Sequence, residues 1–138
     1  MAPRAGDGTG SSTGPAHLPE EGGDAYTRFQ EGSRLLEGGN AHAAIISLER
    51  ARDLEPDKGS IREALARAYF RSGRITAARE EFEKLVELDP VNDYAHFGLG
   101  MCLLRVGDRD GARRHLKLAT IMRPEAQAYQ DALRQAMA

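Results

Sequence analysis

The residues best suited to catalysis or metal binding are one cysteine and four histidines, and they are scattered along the chain. His17 lies near the N-terminus, and His42, His96 and His115 fall in three different predicted helices, without a cysteine or carboxylate at ligand spacing. Cys102 lies among packing residues of a predicted helix, where a buried thiol is the usual role. We therefore expect no enzyme activity, no metal and no cofactor.

Protein binding is indicated instead by one predicted helix that is apolar on two sides. Its packing side consists of His96, Leu99, Gly100 and Leu103. Its second stripe recurs at spacings of 3, 4 and 3 residues and consists of Tyr94, Phe97, Met101 and Leu104. A helix of this kind is either buried on both sides or presents one side to a partner. Two interpretations stay open: the stripe binds a partner, or it fills the interior against a C-terminal capping helix or the N-terminal tail.

A basic cluster in a later helix could instead bind phosphate groups. It consists of Arg109, Arg113, Arg114, His115 and Lys117. Residues 91–124 hold six positive and three negative side chains, but the whole chain has a formal net charge of −2. No aromatic residue interleaves with the cluster for base stacking. A solvated helix face is therefore favoured, and nucleic-acid binding is the weaker alternative.

The elements that position these residues repeat along the chain. Pro56, Pro90 and Pro124 stand 34 residues apart, and each follows a charged residue that ends an apolar-periodic segment. Because proline lacks an N–H and restricts its predecessor, each one ends a helix. Alignment on the prolines produces further columns: Gly39, Gly73 and Gly107; Ala44, Ala78 and Ala112; Leu48, Phe82 and Leu116; Ala51, Leu85 and Ala119.

The pattern of each unit therefore predicts two helices joined by a glycine turn. The first helices are predicted near residues 25–37, 60–72 and 93–106, and the second helices near 41–54, 75–88 and 109–122. The last segment, residues 125–137, has one apolar stripe and predicts a capping helix. Units of this size bury their apolar faces by stacking, and about three is the usual minimum.

The period and the columns resemble the tetratricopeptide repeat family. The second unit carries the family pattern at Leu65, Ala66, Tyr69, Gly73, Ala78, Phe82 and Pro90, and the third at Leu99, Gly100, Leu103, Gly107, Ala112, Leu116, Ala119 and Pro124. The resemblance covers residues 24–138. It implies an all-α, right-handed superhelical solenoid of three repeats (25–58, 59–92 and 93–126) plus the capping helix. The first unit departs from the pattern at Arg28 and Glu31. We expect Phe29 to take the packing role instead, since Phe29, Gly32 and Leu36 lie on one side of the helix.

In the resembling family, the first helices line a concave groove that binds other proteins. Carried to this chain, the groove positions are Tyr26, Phe29, Ser33, Leu36 and Glu37; Ser60, Glu63, Arg67, Phe70 and Arg71; and Tyr94, Phe97, Met101 and Leu104, with Arg105 beside them. The implied partner is a protein segment with apolar anchors and an acidic group. One family mode clamps a C-terminal carboxylate with Lys, Asn and Arg. The matching positions here are Phe29, Ser33, Ala64, Tyr94 and Gly98, so no such clamp is expected.

Composition bounds the remaining possibilities. The chain of 138 residues is long enough for one domain. Residues 1–23 are rich in Gly, Ser, Thr and Pro, with Leu18 as the only sizeable apolar residue, and predict a disordered tail. No apolar run of a secretory signal follows Arg4, and no stretch reaches the roughly 20 apolar residues of a membrane span. With a single cysteine, a cytoplasmic protein is expected.

The sequence thus favours a non-catalytic adaptor that holds a partner segment in a groove. A structural subunit is the alternative: it would assemble with itself or within a larger complex through its apolar stripes and through an N-terminal end without a cap before Ala25.

Overall fold

The computed structural model describes residues 23–138, and this range forms seven α-helices without a strand. The helices are α1 Asp24–Glu37, α2 Ala41–Leu54, α3 Gly59–Arg71, α4 Ile75–Leu88, α5 Asp93–Arg105, α6 Arg109–Met122 and α7 Gln127–Met137. The all-α prediction is confirmed. Apart from Gly23, the predicted tail lies outside the described residues.

The helix ends agree with the sequence prediction to within two residues. The bounds of α2, α4 and α6 are as predicted, and those of α1, α3 and α5 shift by one residue. The largest difference is in α7, which begins at Gln127 rather than at residue 125. Pro124 and Glu125 form a turn, and Ala126 caps the helix with an extended backbone, φ −77° and ψ 104°. The helix therefore cannot begin earlier.

Glycine closes the turn inside each of the three helix pairs. Gly39, Gly73 and Gly107 have φ of 88°, 85° and 88°, a left-handed conformation that a side chain would oppose. In the second pair, the backbone N–H of Arg74 donates to the carbonyl of Tyr69 over 2.8 Å, which satisfies a carbonyl at the end of α3. The same bond recurs in the other two turns.

Small residues set the distance between the paired helices. Ala44, Ala78 and Ala112 are fully buried. A Cβ added to Gly32 would lie 2.5 Å from Leu48 Cγ, and one added to Gly100 would lie 2.6 Å from Leu116 Cγ. Gly32 and Gly100 therefore occupy equivalent contacts.

This equivalence fixes the rotation of α1. Gly32 and Leu36 are buried, while Phe29 is half-buried and packs against the core. The first helix thus keeps the same orientation as α5, although Glu31 interrupts the apolar column.

A buried carboxylate joins the first two helix pairs. Glu81 in α4 is only 5% exposed and accepts from Arg52 of α2 over 2.8 Å and from Arg62 of α3 over 2.9 Å. Arg62 Nε also donates to the carbonyl of Pro56 in the linker, over 2.8 Å. One carboxylate therefore fastens three helices.

The helix α7 is held by α5 and α6. The Tyr129 hydroxyl donates to Asp93 Oδ2 over 2.6 Å, and Arg123 donates to the same oxygen over 2.9 Å. Arg109 and Arg113 of α6 donate to backbone carbonyls at the C-terminal end of α7, over 3.0 to 3.3 Å. Cationic groups at a helix C-terminus satisfy its last carbonyls and oppose its dipole.

Candidate functional site

Two neighbouring cavities lie along α1, α3 and α5, and together they form the candidate groove. The first cavity, of about 240 Å³, is lined by Phe29, Ser33, Leu36, Glu37, Ser60, Glu63, Ala64 and Arg67. The second cavity, of about 170 Å³, is lined by Arg67, Phe70, Arg71, Phe82, Tyr94, Phe97, Gly98 and Met101. Arg67 lines both cavities, so the two are neighbours.

The second cavity has aromatic walls. The rings of Phe82 and Tyr94 meet edge to face with centroids 6.1 Å apart, and those of Tyr94 and Phe97 lie 6.0 Å apart. Gly98 brings α5 close to Phe82, because a Cβ at this position would lie 2.3 Å from the ring.

Two arginines border the same cavity. Arg67 and Arg71 line it together with Tyr94. Burial raises the pKa of the Tyr94 hydroxyl, and both arginines oppose this rise. Arg71 is anchored by donation from Nη1 to the carbonyl of Leu36 over 3.3 Å. The ion pairs among residues 23–138 use other basic residues.

The first cavity is acidic and rich in hydroxyl groups. Glu37 is exposed and Glu63 is half-buried, and Ser33 and Ser60 line the same space. Burial raises the pKa of Glu63, Arg67 opposes this rise, and Asp93 adds to it. The groove therefore changes from acceptors at the α1 end to arginine and aromatic groups at the α5 end.

Twelve of the fifteen predicted groove residues line these cavities, namely Phe29, Ser33, Leu36, Glu37, Ser60, Glu63, Arg67, Phe70, Arg71, Tyr94, Phe97 and Met101. Leu36 is only 1% exposed and supports the cavity wall from behind. Three predicted residues lie outside both cavities. Arg105 stacks over the Phe70 ring at 5.2 Å, Tyr26 accepts from Gln30 over 2.8 Å, and Leu104 packs against the core.

Phe97 has a second role. Its ring stacks on Tyr129 of α7, with centroids 4.7 Å apart and an interplanar angle of 24°. Part of the predicted stripe is thus used to pack α7, as one of the two open interpretations anticipated. The rest of the ring faces the second cavity.

Three lining residues are not among the predicted groove residues, namely Ala64, Phe82 and Gly98. Phe82 belongs to a core column, and Ala64 and Gly98 are clamp positions in the sequence analysis. The signal for Gly98 was present, since a glycine inside a helix pattern often marks a close approach by a neighbouring group. Nothing in the periodicity indicates that this neighbour is Phe82.

Other candidate chemistry is limited. Cys102 is a fully buried free thiol, and burial raises its pKa to about 11. Within residues 23–138, no three His, Cys, Asp or Glu side chains are grouped to hold a metal ion. In the basic cluster of α6, Arg109 and Arg113 are engaged with α7. None of the helices in this range is both long and apolar enough to cross a bilayer.

Comparison with known proteins identifies the repeat. A family model described as tetratricopeptide repeat matches residues 29–93 and residues 63–137. The TPR repeat-containing thioredoxin TTL4 of Arabidopsis thaliana is 35% identical over 85 residues, 62% of this chain and 12% of that protein. The tetratricopeptide repeat and J domain-containing co-chaperone DNJ1 of Cryptococcus neoformans var. grubii is 29% identical over 99 residues, 72% of this chain and 19% of that protein. The chain thus spans less than a fifth of either relative.

Solved structures share the fold at low sequence identity. The first TPR of Spaghetti (RPAP3), bound to the HSP90 peptide SRMEEVD, has a TM-score of 0.78 at 18% identity and covers 83% of this chain and 90% of that chain. The Sgt2 TPR domain from Aspergillus fumigatus has a TM-score of 0.78 at 22% identity and covers 90% of this chain and 83% of that chain. At this identity, the likeness concerns the fold alone.

Proposed function

The chain belongs to the tetratricopeptide repeat family, and we propose that it is a non-catalytic protein-interaction module that holds a segment of a partner protein in the groove. The observation that carries the proposal is the second cavity, where aromatic walls and two arginines converge. Aromatic and arginine side chains are enriched where protein interfaces gain most of their affinity.

The second cavity fits one large apolar side chain with an acidic group beside it. Its volume of about 170 Å³ is close to that of an apolar cavity of roughly 150 Å³ that accepts benzene. Arg67 and Arg71 at its border supply charged donors for a carboxylate. We therefore infer a partner segment that carries an aromatic or branched apolar residue next to Asp or Glu.

The first cavity complements this arrangement with hydrogen-bond acceptors. Glu37, Glu63 and the hydroxyls of Ser33 and Ser60 suit donor groups, such as backbone N–H groups or a basic side chain of the same segment. Because Arg67 lines both cavities, one continuous extended segment can occupy both.

Structural relatives are consistent with an acidic ligand. The first TPR of Spaghetti (RPAP3) is bound to an HSP90 peptide, SRMEEVD, and the second TPR domain of human RPAP3 is in complex with an HSP70 peptide, SGPTIEEVD. Both peptides contain consecutive glutamates. The clamp positions of this chain hold other residues, so we propose that Arg67 and Arg71 provide the acidic contacts.

The module would act as an adaptor in the cytoplasm, where its buried free thiol stays reduced. Binding is stoichiometric in this proposal.

A peptide-binding experiment tests the groove directly. Short peptides with one large apolar residue followed by glutamate are compared with the same peptides carrying lysine in place of glutamate. The wild type is expected to favour the glutamate set. Arg67→Ala should weaken binding of that set about 10-fold or more, because a charged hydrogen bond contributes about 1.5–3 kcal/mol.

Matched variants locate the binding surface. Phe70→Glu combined with Met101→Glu places two charges in the second cavity and should abolish binding. Ile121→Glu on α6, at a side chain that is 74% exposed, is the control and should bind as the wild type does. Equal binding by all three proteins would reject the groove. A concentration-dependent mass of the unliganded wild type would favour the assembly alternative.

A further inference from the structure

The third helix pair contains a histidine pair where the second contains an arginine and a glutamate. His96 stands 34 residues after Arg62, and His115 stands 34 residues after Glu81. The contacts are equivalent. Arg62 Nε donates to the Pro56 carbonyl over 2.8 Å, and His96 Nε2 lies 2.8 Å from the Pro90 carbonyl. Arg62 reaches Glu81 over 2.9 Å, and the Nδ1 atoms of His96 and His115 lie 3.0 Å apart.

These contacts define the tautomers of the neutral pair. A carbonyl oxygen only accepts, so His96 Nε2 carries a proton that it donates to Pro90. Nδ1 of neutral His96 is then an acceptor, and His115 must donate to it from Nδ1. The neutral pair therefore has one arrangement that satisfies both contacts.

Proton uptake changes the pair in two steps. After the first proton is bound, one Nδ1 still carries a proton and the other still has none. The hydrogen bond between the two Nδ1 atoms therefore survives. A second proton places N–H groups on both Nδ1 atoms, which then face each other over 3.0 Å without an acceptor. Two adjacent cationic rings also repel each other.

We propose that the His96–His115 pair is an acid-sensitive latch: at neutral pH it holds α5 against α6 and the Pro90 linker, and it opens when both rings must carry a proton. The latch acts on the groove because α5 also carries Tyr94, Phe97 and Met101. The effect on ligand binding rests on the proposed function, whereas the effect on stability does not.

The surroundings disfavour the charged form of His115. His96 is 5% exposed. Burial lowers the pKa of His115, and the charges of His96 and Arg114 lower it further. Glu83 on α4 and Asp108 at the start of α6 act in the opposite direction. An unfolded histidine takes up a proton near pH 6.5, so in mild acid the unfolded state binds more protons than the folded state. The free energy of unfolding therefore decreases as the pH is lowered.

The test compares urea unfolding of the full chain at about pH 7.5 and about pH 5.0. The matched variant, His96→Arg with His115→Glu, reproduces the pairing of the second helix pair. Each proton bound only by the unfolded state raises the unfolding constant up to about tenfold per pH unit below the unfolded pKa. On acidification, the unfolding constant of the wild type should therefore rise about 10- to 30-fold more than that of the variant. An equal rise in both proteins would overturn the latch.

A second measurement does not depend on that variant. Nitrogen chemical shifts of the wild-type imidazoles at neutral pH should show a protonated Nε2 in His96 and a protonated Nδ1 in His115. In His115→Gln, the amide can still donate to His96, and the added acid sensitivity should be lost. Imidazoles that titrate independently, or an acid response that survives in His115→Gln, would contradict the proposal.

If the groove binds the glutamate peptides, mild acid should also weaken their binding to the wild type more than to the variant with arginine and glutamate. A stable groove that binds no peptide would reject the proposed function and leave the latch intact. An acid response of stability equal in both proteins would reject the latch and leave peptide binding at neutral pH intact.

Discussion

The ring of Phe97 stacks on the ring of Tyr129, with centroids 4.7 Å apart. This contact joins a wall of the second cavity to α7, so one side chain serves both the candidate site and the fold. Substitution of Phe97 therefore cannot separate binding from stability.

We predict that Phe97→Ala lowers the free energy of unfolding by about 3 kcal/mol, because it removes both the stacking and the buried area of a large ring. Tyr129→Phe keeps the ring and loses only the hydroxyl bond to Asp93, which should cost about 1.5–3 kcal/mol and leave the cavity unchanged. Urea unfolding followed by far-ultraviolet circular dichroism measures both. A loss below about 0.5 kcal/mol for Phe97→Ala would show that the stacking does not stabilise α7.

Gly98→Ala should destabilise the protein and shrink the second cavity. The added methyl would lie 2.3 Å from the Phe82 ring, which is 2% exposed and has little room to move. Overpacking destabilises a protein by about 1–3 kcal/mol, while replacing a helical glycine by alanine stabilises the helix by up to about 1 kcal/mol. A net loss of about 1–2 kcal/mol is expected on thermal or urea unfolding.

Gly59→Ala is the control for that substitution. Its added methyl would lie 3.5 Å from Leu85, an ordinary contact, so its effect should be neutral or stabilising. Equal effects at both positions would mean that the approach of α5 to Phe82 is not as close as described.

Glu81→Gln should be among the most destabilising polar substitutions. It leaves Arg52 and Arg62 facing a neutral group in a site where Glu81 is 5% exposed. Breaking a buried pair by removing one partner costs about 3 kcal/mol or more. Glu83→Gln, which removes an exposed pair with Arg79, should change the stability by less than about 1 kcal/mol. Similar unfolding midpoints for the two variants would contradict a buried network.

The Cys102 thiol should react slowly with iodoacetamide in the folded protein at mildly alkaline pH. It is fully buried, and burial raises its pKa to about 11, so both access and thiolate fraction are low. Labelling followed by mass spectrometry should be fast in urea and slow in buffer. Equal rates would show that α5 opens readily.

The repeat made most of the fold predictable from the sequence. Proline and glycine act locally, so Pro90 and Gly73 fix helix ends through backbone geometry alone. The groove stripe was also predictable, because Tyr94, Phe97 and Met101 follow the helical period on one side of α5.

The remaining features depend on distances between helices, which periodicity does not contain. Phe82 belongs to a core column, and it lines the second cavity only because Gly98 lets α5 approach it. For Arg109 and Arg113, the sequence favoured a solvated face over phosphate binding, and it gave no sign that both residues bind carbonyls at the C-terminal end of α7. Long side chains reach several neighbours, and the sequence does not specify which.

The linkers that end each helix pair share one backbone conformation. The residues before the three prolines, Glu55, Asp89 and Arg123, have φ of −138°, −147° and −141° and ψ of 80°, 88° and 79°. Each helix pair is therefore followed by a linker that begins with the same backbone geometry. If a complete 34-residue unit were inserted at a linker, each downstream helix would keep the same side toward the core of the repeat. A single residue inserted within α5 would instead turn the remainder of that helix by about 100° and move its groove side chains away from α3.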